Sequence, residues 1–427
     1  MLIYVEKITN RIRYALGFIF ELENIPFEIT DNYGRFLSNQ GNRFNYSKIE
    51  IENVPQIIPA ALILEANISE QILGLAKFKD EECLTFARQL DPIAAVFFVL
   101  SRYEEYLDSE RDNHNRFSAK KSINYINKWL NKLVCDRWSK SIISFIFEGN
   151  GADFTFSKKE VLIVPTFDID NAFAFQNKSA IRRFLSFSKD SISFNFKRIQ
   201  QRRKVIKKLS KDPYDTYDII KEISKKHSVY IFWLLGNFSK YDKNIPHQNF
   251  QQQKLIRKLS GFSKIGIHPS YQSNTKSELL EVEMIRLSQI LNAEISHSRQ
   301  HFLKLSLPET YQHLIKFGIQ HDFTMGYADL PGFRSGTVRP HNWFDLYSNE
   351  VSSLMIHPFT YMDGTLNEYM MLTIEEAKEI IDALYNEIKL FGGEFSFIWH
   401  NETINNLGKW KGWSEVLDFS LNLKNHE

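Results

Sequence analysis

From Val161 onward, short apolar runs alternate with amphipathic stretches. Seven runs read as strands: Val161–Phe167, Val229–Leu235, Lys264–Ile267, Glu294–His297, Gln320–Thr324, Ser353–Ile356 and Glu394–Trp399. Between most of them, apolar residues at helical spacing predict helices over Pro213–Lys226, Ser277–Leu291, Pro308–Phe317 and Thr373–Leu390. The last has its own start and stop signals. Thr373 with Glu375 and Glu376 matches a capping box, and Gly392–Gly393 ends the helix before the final strand. Such alternation predicts an α/β architecture.

Residues 1–150 lack this rhythm and read as a smaller α+β unit. Its clearest element is a helix over Pro92–Leu107, whose Glu104 and Glu105 point roughly 100° apart and read as a solvated face. Asp112–Phe117, DNHNRF, reads as a polar loop, and GNGAD at Gly149–Asp153 marks a boundary. A chain of 427 residues exceeds what one core usually supports. Two domains are therefore expected, over 1–150 and 156–427. Lys178–Lys211 interrupts the second with paired basic residues and few acids. It reads as a solvated insertion helix, or as a surface that approaches anionic lipid or a phosphorylated substrate.

Composition narrows the chemistry. The net charge of +2 gives no argument for nucleic acid. Cys83 and Cys135 form no Cys-x-x-Cys pair, so a thiolate zinc site is excluded and any metal must use His and carboxylate. They read as structural thiols in a reducing compartment. The first residues lack a secretory-leader pattern and no apolar run is long enough to span a bilayer, so the cytoplasm is the expected location.

In an α/β barrel, catalytic groups sit just past the C-terminal ends of the strands. The first strand delivers Asp168 and Asp170 in TFDID, and the third delivers His268. The fourth delivers Arg299 and His301, the sixth His357, and the last His400 in FIWHNE. Several strand ends doing this in series point to a site. His and Asp suit Zn²⁺ or a similar divalent ion, with Co²⁺ and Mn²⁺ as alternatives. Such an ion lowers the pKa of water toward about 7 and polarises a carbonyl, while a free carboxylate acts as base and a histidine as acid.

These residues carry a resemblance. The region 156–427 resembles the polysaccharide deacetylases, the NodB-homology domain of carbohydrate esterase family 4. The resemblance implies a distorted (β/α)7 barrel that removes acetyl groups from N-acetylated sugars. TFDID resembles the family's TFDD motif, which makes Asp168 the base and Asp170 a metal ligand. YIFWLLG at 230–236 resembles its second strand. His268-Pro-Ser-Tyr-Gln272 stands for the metal motif H-S/T-x-x-H, with Gln272 in place of the second histidine. Either His301 supplies the missing nitrogen, or the metal is weakly held or absent. Arg299, followed by a helix and Gly318, fits the family's arginine motif as partner of Asp168, with Arg334 in GFRSGT competing. His400 fits the catalytic acid. Arg334, His357, Asp322, Tyr327 and Trp399 are substrate-side candidates, with Asp363 beside them. Trp410 and Trp413 read either as sugar-stacking rings or as packing.

The leading expectation is a metal-dependent hydrolase removing an N-acetyl group from an amino sugar or a nucleotide- or lipid-linked glycan precursor. Peripheral membrane contact would run through Lys178–Lys211. The absent second histidine motivates another reading, a degenerate barrel that binds carbohydrate or acts as a scaffold. A third is hydrolysis of a linear or cyclic amide.

Overall fold

The computed structural model describes residues 1–107, 110–178 and 180–423. Two hydrophobic clusters organise it. The first is built mainly from residues 3–146 and holds the helices Asn10–Glu21, Pro92–Leu100 and Val134–Gly149. Around them lie a parallel three-stranded sheet, β1 (Leu2–Val5), β2 (Glu28–Thr30) and β3 (Arg43–Tyr46), and an antiparallel meander, β4 (Leu73–Phe78), β5 (Glu81–Phe86) and β6 (Gln89–Leu90). The helix predicted to run to Leu107 stops at Leu100, and a 3₁₀ turn covers Tyr103–Tyr106. The expected solvated face at Glu104 and Glu105 is corrected: Glu105 is only 1% exposed and bridges Arg102 and Arg334 at 2.8 and 2.6 Å. Two arginines make this carboxylate a core group, and one of them comes from a segment more than two hundred residues away in sequence.

The second cluster packs around a nine-stranded sheet. Its strands are β7 (Val161–Ile169), β8 (Tyr230–Trp233), β9 (Lys264–Ile267), β10 (His297–Ser298), β11 (His321–Asp322), β12 (His341–Asp345), β13 (Glu350–Ile356), β14 (Tyr361–Met362) and β15 (Gly393–His400). Their order is β12-β13-β11-β10-β9-β8-β7-β15-β14, all parallel except the β12–β13 hairpin. The seven expected strands are present, with β10 and β11 shorter than their apolar runs. β12 and β14 are additions. HNWFD mixes polar and aromatic residues without a clean alternation, and β14 has only two residues, too short for a periodic signal.

The sheet curls on itself. β13 and β15 are separated by five strands, yet His357 at the end of β13 bonds Glu394 at the start of β15 at 3.0 Å. Among the described residues no ladder joins β12 or β13 to β14, so the curl is not closed by hydrogen bonds. Pro358, directly after His357, has no N–H with which to extend β13. Helices cover the outside, including Ser277–Leu291 and Ile374–Lys389. The latter opens with a complete capping box between Thr373 and Glu376.

The two clusters interlock. Phe344 and Leu346, from and just after β12, belong to the first cluster, and the Tyr14 hydroxyl donates to the Asn342 carbonyl at 2.7 Å. Among the described residues, no helix is long and apolar enough to cross a membrane.

Candidate active site

At the C-terminal ends of the parallel strands lies a cavity lined by Asp168, Asp170, His268, His301, Asp363 and His400, among others. Strand register accounts for much of this. On the neighbouring strands β7 and β15, Asp168 pairs with His400, so a carboxylate and an imidazole stand at one level. One residue past Ile267 of β9 comes His268, and one past Ser298 of β10 comes Arg299.

Three ligand atoms, from Asp170, His268 and His301, lie within 4.8 Å of one another. Each histidine is turned by its other nitrogen. His268 Nδ1 donates to the Arg299 carbonyl at 2.6 Å, which leaves its Nε2 facing Asp170 at 3.3 Å. His301 Nδ1 lies 3.0 Å from Asp242, with its Nε2 facing the other Asp170 oxygen at 3.5 Å. A carbonyl or carboxylate behind an imidazole is the arrangement that fixes a ligating tautomer. Asp170 Oδ1 is buried with no hydrogen-bond partner. A buried carboxylate oxygen left unpaired beside two imidazole nitrogens suits a divalent cation, so the residues present fit such an ion. Burial pushes the Asp170 carboxyl up, but His301 and His268 more than reverse this and hold it well below the usual range. For His301, burial opposes the charged form, yet Asp170 and Asp242 raise it to about 9.

Asp168 stands beside this group. Its Oδ1 accepts from Arg299 Nη1 at 2.9 Å, and its Oδ2 is 3.8 Å from His268 Nε2. Arg299 is fully buried. It is steadied by Thr166 Oγ1 and the Phe323 carbonyl, and its guanidinium lies 4.5 Å from the centre of the Phe232 ring. Across the cavity, His400 Nδ1 bonds Asp363 at 2.8 Å, while the other Asp363 oxygen accepts from the His400 amide and Thr403 Oγ1. Burial lowers the tendency of His400 to hold a proton, but Asp363, with Asp170 and Asp168, raises its pKa well above that of an ordinary histidine.

The other sequence candidates lie elsewhere. Arg334 pairs with Glu105 rather than Asp168 and donates to the Gly326 carbonyl, buried where the two clusters meet. Beside it, the buried Tyr327 accepts from Arg102 at 3.1 Å. Asp322 is fully buried, accepting from Ser298 and Thr324. His357 stacks on Phe323 and bonds His321 and Glu394, groups at the starts of β11 and β15, away from the cavity. Trp399 is fully buried in the core and meets no substrate space. Gln272 is exposed and lines no part of the cavity.

Some residues that line the cavity or stand behind its histidines carry no motif. Asp242 belongs to a loop after β8 with no periodic signal. Arg116 comes from the DNHNRF loop and reaches the cavity rim, where Nη1 donates to the Phe302 carbonyl at 2.8 Å and Asp112 holds Nε. Tyr369, Glu402 and Trp410 complete the wall. Trp410, open between stacking and packing in the sequence, borders the cavity while packing in the core.

Residues 1–149 match a family of unknown function, DUF7033. No curated protein matches the chain. Among solved structures, the chain is similar to an assigned polysaccharide deacetylase from Mycobacterium smegmatis, with 13% identity and a TM-score of 0.40 over 64% of this chain and 87% of the other. A polysaccharide deacetylase from Bacillus cereus follows, with 8% identity and a TM-score of 0.32 over 62% and 89%. PuuE allantoinase shows 10% identity and a TM-score of 0.35 over 62% and 85%. At such identities and TM-scores, none of these proteins lends its activity to this chain.

Proposed function

We propose that the cavity is the active site of a metal-dependent hydrolase that removes an acetyl group from an amino sugar of a glycan or glycan precursor. The supporting observation is the convergence of Asp170, His268 and His301 around the unpaired Asp170 Oδ1, in the cavity that also holds Asp168 and His400. Asp170, His268 and His301 would hold the ion. A divalent ion there polarises a carbonyl and acidifies water.

The chain's own groups divide the proton work. Arg299 donates to Asp168 and fixes its Oδ1, leaving Oδ2 to take a proton from the attacking water. His400 holds its proton through Asp363 and delivers it from Nε2 to the departing sugar nitrogen. His301, facing Asp170, would supply the nitrogen that Gln272 does not, and this supports catalysis over a degenerate binding barrel. Arg116, Tyr369 and Trp410 form the substrate side, with residues 1–150 acting as an accessory unit that completes the rim.

The test is metal content of the wild type beside Asp170→Ala and His268→Ala, followed by acetate release from acetylated amino sugars. Near-stoichiometric metal, lost in both variants, with acetate released only by the wild type, is expected. A wild type that binds no added Zn²⁺, Co²⁺ or Mn²⁺ refutes the reading.

A further inference from the structure

Between β7 and β8 the chain leaves the sheet and folds into two helices, Ala180–Ile192 and Phe196–Ile206. Over 178–211 there are twelve lysines and arginines and a single acid, Asp190. Asp190 is buried and bonded to the buried Arg202, so it presents no charge outward. Ile199 and Val205 turn inward, and Arg182 anchors the first helix through the Asn244 carbonyl at 2.8 Å.

The outward side is unusual for a region so rich in charge. Ile192 and Phe194 are 78% and 77% exposed and Leu209 is 73% exposed, with Phe184, Leu185 and Phe196 also open. Three of them, Ile192, Phe194 and Phe196, cluster where the two helices join. The exposed lysines Lys197, Lys204, Lys207 and Lys208 stand in the second helix and just after it. Interfaces between proteins deplete lysine around their apolar centre. Apolar tips with flanking lysines and no exposed acid match the interfacial zone of an anionic bilayer, where rings and aliphatic groups enter the acyl boundary and ammonium groups meet lipid phosphates.

We infer that the insertion docks the protein on anionic lipid membranes, with the apolar tips around Phe194 entering the bilayer and the lysines holding the headgroups. Docking does not require the cavity to be catalytic. It does orient the cavity: a groove lined by Arg198, Lys204 and Lys211 runs from the insertion to Glu402 and Trp410, which also wall the cavity. A docked molecule therefore presents its site beside the headgroup layer.

The experiment is cosedimentation of the full chain with vesicles of phosphatidylcholine alone or mixed with phosphatidylglycerol. Binding to the anionic vesicles only, reversed by high salt, is expected. Lys207→Glu/Lys208→Glu and Phe194→Ser/Phe196→Ser should each weaken it by about tenfold or more. Circular dichroism and metal content should not change, because all four side chains are exposed. No binding by the wild type, or equal binding by both variants, overturns the inference. Light scattering covers the remaining occupant: if the wild type ignores vesicles and forms a dimer that Phe194→Ser/Phe196→Ser splits, the face belongs to a second copy and the inference falls.

Discussion

Replacing Asp363 by asparagine removes one negative charge from behind His400 while keeping its shape. Asp363 is fully buried and accepts from His400 Nδ1 at 2.8 Å, from the His400 amide at 2.9 Å and from Thr403 Oγ1. The charge-assisted bond to the imidazolium is worth about 1.5–3 kcal/mol, and its loss lowers the His400 pKa. Burial, which disfavours the charged imidazole, then acts with less opposition. Full loss of a general acid costs about 10²–10⁴ in rate, so Asp363→Asn should lose about 10²-fold in kcat at neutral pH, less than His400→Ala. The pH profile carries the sharper signature. Activity needs protonated His400, so a lower pKa moves the alkaline fall to lower pH. An NMR titration of the His400 imidazole reads the same shift without substrate. Unchanged kcat with an unmoved alkaline limb would refute the assignment of His400 as acid and of Asp363 as the group that holds its proton.

Further expectations follow from other parts of the structure. Glu105→Ala leaves the buried Arg334 without its carboxylate and Arg102 with Glu104 alone, and should cost about 3–5 kcal/mol in urea denaturation; a loss under about 1 kcal/mol contradicts the buried network. Burial holds Glu283 at about 7 against a usual 4.5, despite the Ser270 amide donating to it. The folded state thus keeps a proton that the unfolded chain releases: this contribution is full below 4.5 and disappears as pH rises through 7. Glu283→Gln should therefore remove up to about 3 kcal/mol from the fall in stability between about pH 5 and pH 8, read from urea midpoints at both ends. Arg116→Gln should raise KM several-fold with kcat largely kept, because Arg116 stands on the rim and not beside Asp168 or His400; a matching fall in kcat would move it into the chemistry.

Asp168, Asp170, His268, Arg299, His301 and His400 were legible because each follows an apolar run, and strand ends in this architecture converge. The same rule misplaced Asp322, His357 and Trp399. A strand-end position says nothing about which way the side chain turns, and these three turn into the interior, where Ser298, Glu394 and the core receive them. Arg334 and Tyr327 failed for a different reason: their partners, Glu105 and Arg102, lie in the other half of the chain, beyond the reach of local pattern. Arg116 and Asp242 sit in loops, where no period marks a residue as inward-facing. Much of the strand–helix alternation was readable, but the helix Phe250–Ser260 between β8 and β9 was not expected, and β12 and β14 escaped because one mixes polar and aromatic positions and the other has two residues.

The passage of Phe344 and Leu346 into the N-terminal core has a consequence for how the molecule can be taken apart. Expressing the halves on either side of Gly149–Asp153 separately would strip the hairpin of its apolar cover and leave Tyr14 without the Asn342 carbonyl. Neither fragment would carry a finished surface. The halves are committed to each other in synthesis and in degradation, and a protease that nicks the joining loop should leave a noncovalent pair that melts as one body.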